Sequence, residues 1–234
     1  MLEPRLKLKR ILSEGNLTLI PFTTEQFLTI FESYNQAIYP VQWILLMLAM
    51  AAVFLAIRPS SRSSRTIAAL LAVLWVWTGV AYHLVFFSRI NGAAYLFALL
   101  CIIEVVILLF AGAIRSDLHF HARLNVAGFV GSLFIFYALF IYPALGYLFG
   151  HVYPLSPTFG TPCPTTIFTF GLLLWADRVP LYVVAIPFVW SMIGTTAALS
   201  LGMPEDAGLF VAGLTATALL GLKNRLHSSM YEGT

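Results

Sequence analysis

Residues 93–114 read AAYLFALLCIIEVVILLFAGAI, with Glu104 as the single charge in 22 positions. Wound as a helix at 1.5 Å per residue, the stretch is about 33 Å long, the thickness of a bilayer's hydrocarbon core. A helix apolar on every side has no solvated face, so it belongs in lipid or deep inside a large protein. Uncharged runs of the same kind cover residues 37–57, 66–87, 124–149 and 179–199. Two shorter runs, 162–176 and 207–222, give about 22–24 Å of helix each. The whole reads as an all-α, polytopic transmembrane bundle of about seven spans.

Composition agrees. Of the 234 residues, 60% are hydrophobic and 10% charged, against about half and about a quarter in an average globular chain. That excludes a disordered chain, and two cysteines exclude a disulfide scaffold. No phosphate loop, Gly-x-Ser-x-Gly or His-Glu-x-x-His motif occurs, and no basic face of the kind nucleic acids need. Neither a cleavable signal nor an internal repeat is expected. The domain reading is a variable or mis-assigned extension over residues 1–20, one helical domain over 21–222, and a cytoplasmic tail over 223–234.

The charges give an orientation. Arg58, Arg62, Arg65, Arg115, Arg123, Arg178, Lys223 and Arg225 all fall on one side of a seven-span topology, whereas the other connectors carry only Arg89. Basic connectors stay in the cytoplasm. The carboxyl terminus is therefore expected inside and the amino terminus outside. Arg5, Lys7, Lys9 and Arg10 would then lie outside, too far from the first span to weigh on the rule.

Ahead of the first span, Thr23 and Gln26 have capping-box spacing. Phe27, Ile30, Phe31 and Tyr34 then recur at helical intervals. This predicts a short amphipathic helix, either lying on the outer membrane surface or packed over the outer loops as a lid.

Few residues suggest chemistry. Glu104 falls near the bilayer midplane, where a carboxyl must face the bundle interior and be paired or protonated. It reads as a proton or cation ligand, or as a neutral acid locking two helices, with Cys101 one turn away. His83 is the sole histidine inside a span and lies about 10 Å above Glu104; it reads as part of a pathway mouth or as an interfacial side chain. Residues 150–166 hold Pro154, Pro157, Pro162, Pro164, Gly150 and Gly160. They end in a short helix with Thr165 and Thr166 in its first turn, and a broken span of this kind marks binding sites in transporters. The alternative is a rigid cap over the outer surface. His83, His151 and Cys163 approach the same surface from three spans and form a candidate metal site, though without the local spacing that makes such sites specific. A haem held by two histidines is rejected, because only one histidine lies within a span. Thr169, Ser191, Thr215 and Thr217 are candidate cavity hydroxyls. Gly128/Ser132 and Ala212/Ala216 have the spacing of close helix contacts.

Three blocks carry a resemblance: Pro21–Phe27 with Tyr34 and Asn35, Tyr82–Phe87 with Ile90 and Asn91, and Pro157–Thr166. Together they resemble an uncharacterised bacterial family of multi-pass integral membrane proteins, a domain of unknown function. The resemblance implies a bacterial inner membrane and brings no activity. The expected function is to bind, and to move, a small polar solute or ion through Glu104, His83, Thr165 and Thr166. The alternatives are a membrane metalloenzyme or redox protein, and an accessory subunit. Lipid is the expected surroundings, a second copy or another membrane subunit the expected partner, and the sequence leaves any cofactor open.

Overall fold

The computed structural model of the chain describes residues 21–232; the N-terminal extension, with its four basic residues, lies outside them. Among the described residues the protein is helical without β-strands. Eight helices follow in order: α1 (Thr24–Ile38), α2 (Val41–Ile57), α3 (Ser61–Arg89), α4 (Ala94–Ile114), α5 (Val126–Leu148), α6 (Pro162–Leu174), α7 (Leu181–Leu201) and α8 (Ala207–Glu232). Five apolar helices, α3, α4, α5, α7 and α8, are long enough to cross a membrane. A sixth crossing is available in α1 and α2 together, which meet at 86°.

The bend corrects the expected first span. Pro40 lacks an N–H and disfavours helix in the residue before it, so the run over 37–57 splits at Tyr39–Pro40. The capping box is present as the spacing predicts: Thr23 Oγ1 accepts from Gln26 N–H, and Gln26 Oε1 accepts from Thr23 N–H. α1 buries Ile30, Phe31, Tyr34, Asn35 and Ile38 against the bundle. It is a lid, held by the Trp77 indole N–H donating to Tyr34 Oη (2.7 Å) and by Asn35. Asn35 Nδ2 donates to the carbonyls of Pro154 and Ser156, and its Oδ1 accepts from Thr158 Oγ1. The Pro/Gly-rich segment before α6 is thereby tied to the lid.

Seven helical segments, α2 to α8, run alternately between two ends. At one end Ala122 N–H donates to Ala56 O, His121 N–H to Trp175 O, Asp177 N–H to His119 O, and Lys223 Nζ to Ala176 O. The eight basic residues that set the expected orientation gather at this basic end. At the other end lie α1, the segment 149–161 and the turn Pro204–Asp206. Large apolar side chains point outward along the flanks, among them Trp43, Met47, Leu99, Val106, Phe129 and Phe136.

α6 is short, 13 residues, and buried on every side. It passes through the middle of the bundle, packed closest on α5 and α8. Its contact with α5 is backbone on backbone: a Cβ on Gly131 would stand 2.7 Å from Gly171 O, and one on Gly171 would stand 2.9 Å from Gly131 O. Gly128, the glycine singled out by spacing, instead gives its carbonyl to the Trp175 indole N–H and to Ser132 Oγ. Ala212 and Ala216 are fully buried, as helix-contact spacing implies. Pro187 lies inside α7 without ending it. α8 continues unbroken to Glu232, so the tail begins as helix.

Candidate functional site

Three helices change winding as they cross. Residues Thr78–Phe86 of α3, Leu109–Ile114 of α4 and Tyr137–Ile141 of α5 are π-helical. A π-turn rotates the side chains that follow it and recurs at functional sites. In α3 it aims Tyr82 and His83 inward beneath the lid. Gly79, one turn below, lets α4 approach: a Cβ there would stand 2.8 Å from Cys101 Cβ.

Between the lid and the bundle lies a cavity of about 450 Å³. Its walls are mostly aromatic, from Phe31 and Phe27 of α1, Tyr82 and Phe87 of α3, Phe97 of α4 and Trp190 of α7. Its polar lining includes His83, Thr161, Cys163, Tyr142 and Asp206, with Asn91, Thr196 and Ser200.

His83 is 0% exposed, and neither ring nitrogen has a hydrogen-bond partner. Its ring is held by edge contacts to Tyr82, Phe87, Phe97 and Trp190, with centroids 5.1–5.8 Å apart. The Trp190 indole N–H has the Cys163 sulfur as its hydrogen-bond partner. Buried polar groups are nearly always satisfied, so the unpartnered His83 ring on the cavity wall marks where something polar belongs.

Asp206 closes the other side. Tyr142 Oη donates to its Oδ1 (2.6 Å), and the Cys163 thiol is within hydrogen-bonding reach of the same carboxylate. The neighbouring Glu205 is paired with His151 Nδ1 at 2.8 Å, and its backbone carbonyl accepts from Tyr137 Oη. Two tyrosines of α5 thus pin the turn Pro204–Asp206 against the start of α6. That start carries two prolines, Pro162 and Pro164, which have no N–H to offer. It also already faces a carboxylate, Asp206, at its positive end. The start of α6 therefore offers no cluster of free amides to an anion.

The expected residues divide. His83 and Cys163 do share the cavity. Thr165 and Thr166 do not line it; they are buried within α6, where Thr166 Oγ1 donates to Pro162 O, and Thr161 lines the cavity in their place. His151 is turned to Glu205, and among the described residues no three His, Cys, Asp or Glu side chains converge to hold a metal ion. Both cysteines are free. Thr169 and Ser191 bond backbone carbonyls of their own helices and lie away from the cavity, as do Thr215 and Thr217.

Glu104 is the sharpest departure. It is 0% exposed, and neither carboxyl oxygen has a hydrogen-bond partner. It stands two turns below Phe97, outside the cavity lining. The buried acid does face the interior, as its cost in lipid demands, but it does not line the cavity. Trp190, Phe97, Tyr142 and Asp206 are the site residues that pattern reading passed over.

Fold and cavity together define a helical bundle with an aromatic cavity at one end. Residues 24–230 match the model of a family of unknown function, DUF6064, and the chain belongs to that family. No curated protein and no solved structure matches it.

Proposed function

We propose that this chain is an integral membrane protein that binds a small solute in the cavity beneath α1. In this reading all seven segments α2–α8 cross the bilayer, with the short α6 shielded from lipid by its neighbours. The apolar flanks face acyl chains. The basic end lies in the cytoplasm, by the bias of Lys and Arg toward that side, and the cavity opens on the outer side of a bacterial inner membrane. The reading rests on His83: a fully buried ring with both nitrogens free of protein partners, on the wall of a chamber of about 450 Å³. That volume lies in the range of small-molecule sites.

Binding is better supported than translocation. Glu104 is not among the side chains that line the cavity, so a solute moving to the basic end would have to leave the cavity to reach it. The test is a thermal-shift screen of small solutes on detergent-purified protein, beside Ala197→Phe, which fills the cavity, and Glu104→Gln. A ligand of the folded state raises the melting temperature. The shift is expected to vanish in Ala197→Phe and to survive in Glu104→Gln. A shift that persists in the filled variant removes the cavity from the reading. Uptake lost in Glu104→Gln while binding is kept would support translocation.

A further inference from the structure

The charges around the cavity do not balance. Glu205 and Asp206 are adjacent and buried, and one imidazole, His151, is hydrogen-bonded to Glu205 and acts on Asp206 only through its field. Among the described residues no Lys or Arg lines the cavity, and Arg89, the one at this end, lies over the Phe86 ring. Asp206 is supported as a carboxylate by the Tyr142 hydroxyl and by the positive end of α6, yet among the described residues no cationic side chain is hydrogen-bonded to it. A buried carboxylate beside apolar walls is stabilised by a positive partner.

The walls suit the same partner. Aromatic rings line the space, Tyr82 and Trp190 among them, and a cation near such rings is attracted by their quadrupoles. His83, between them, has one ring nitrogen that accepts a hydrogen bond and no protein donor to fill it. Asp206, Cys163, Trp190 and His83 succeed one another around the wall: Trp190 Nε1 and Cys163 Sγ adjoin at Gly194, and the rings of His83 and Trp190 are 5.1 Å apart. A bare metal ion does not fit, since no three ligands converge. A simple anion is opposed by Asp206.

We propose that the cavity takes an organic ammonium, a molecule with a protonated amine at one end and an apolar, ring-sized body. The amine lies between Asp206 and the His83 ring, and the body lies among Phe31, Phe97 and Trp190. This rests on the cavity being a ligand site, as proposed above, and narrows its chemistry.

The experiment is a charge series on the full wild-type chain in detergent, read by thermal shift and calorimetry. The probes are 4-phenylbutylammonium, the neutral 4-phenylbutanol and the anionic 4-phenylbutyrate. The ammonium is expected to bind at least about tenfold tighter than the alcohol, as a charge-assisted hydrogen bond implies, and the carboxylate weakest. Asp206→Asn is expected to bring the ammonium's advantage below about threefold. Should that variant not fold, the wild-type series decides alone. Equal binding of ammonium and alcohol overturns the ammonium assignment and leaves the cavity a ligand site; binding of none of the three overturns both. The shared chemistry has two sources, a free amine or the head group of an aminophospholipid. Phosphatidylethanolamine nanodiscs that compete with the probe, where phosphatidylglycerol nanodiscs do not, assign it to lipid. Competition in neither assigns it to a free amine.

Discussion

Replacing His83 by phenylalanine separates a structural ring from a ligand-binding one. The histidine's four ring contacts, at 5.1–5.8 Å, are edge-on packing that a phenyl group reproduces. Such pairs are worth about 0.5–1.5 kcal/mol each, so deleting the ring altogether is severe. His83→Ala is expected to cost about 3 kcal/mol, as other large-to-small core changes do. His83→Phe removes no hydrogen bond to protein, because neither nitrogen makes one. Its cost should stay within about 1 kcal/mol, or roughly 2–4 °C in melting temperature for a chain of this size. Binding responds in the opposite order. A lost hydrogen bond to a charged ligand costs about 1.5–3 kcal/mol, so affinity for 4-phenylbutylammonium falls by about 10- to 150-fold in His83→Phe. The assay is a melting curve for wild type and both variants, with and without the probe. If His83→Phe melts as low as His83→Ala, the nitrogens serve the fold. If it binds the probe like wild type, the ring serves no ligand.

Three other changes probe the frame around the site. Glu104→Leu is expected to raise stability by about 2–3 kcal/mol, since it removes a buried carboxyl with no partner; a lower melting temperature would show that the acid holds the bundle together. Asn35→Ala takes three hydrogen bonds from a buried side chain and leaves two carbonyls of the 149–161 segment without donors. A loss of about 2–4 kcal/mol follows, with faster proteolysis of that segment as the local readout. Gly171→Val sets methyl groups against Gly131 O. It is expected to abolish a monodisperse detergent-purified species, whereas Gly221→Val, with nothing within 4 Å of its Cβ, leaves the elution profile unchanged.

The helices were legible because apolar length is a property of the local sequence. The lid was legible too, since Thr23, Gln26, Phe27, Phe31 and Tyr34 encode both its cap and its inner face. Pro40 was the visible signal that 37–57 is not one helix, and the unbroken apolar run around it masked that signal. The site was half legible. His83 and Cys163 stand out as rare residue types in apolar surroundings. Asp206 did not, because an acid in a short connector reads as solvated until the connector is seen folded inward and held by Tyr137 and Tyr142. Trp190 was lost among other apolar residues, since nothing local shows that its ring stands beside His83 and Cys163. Glu104 misled for the same reason: depth follows from counting residues, but nothing local shows that the cavity lining leaves it out. The π-turns, which decide where Tyr82 and His83 point, have no reliable local signature.

The chain's two cysteines offer the most direct test of a cavity open to the outer side. Cys163 lines the cavity and is partly exposed, whereas Cys101 is buried in α4, one turn from Glu104, and does not line the cavity. Intact cells expressing the wild-type chain are treated with a membrane-impermeant thiol reagent, and each cysteine-containing peptide is weighed by mass spectrometry. The account predicts adduct on Cys163, none on Cys101, and slower labelling when 4-phenylbutylammonium is present. Adduct on Cys101 to the same extent, or on Cys163 only after the cells are broken open, would contradict it.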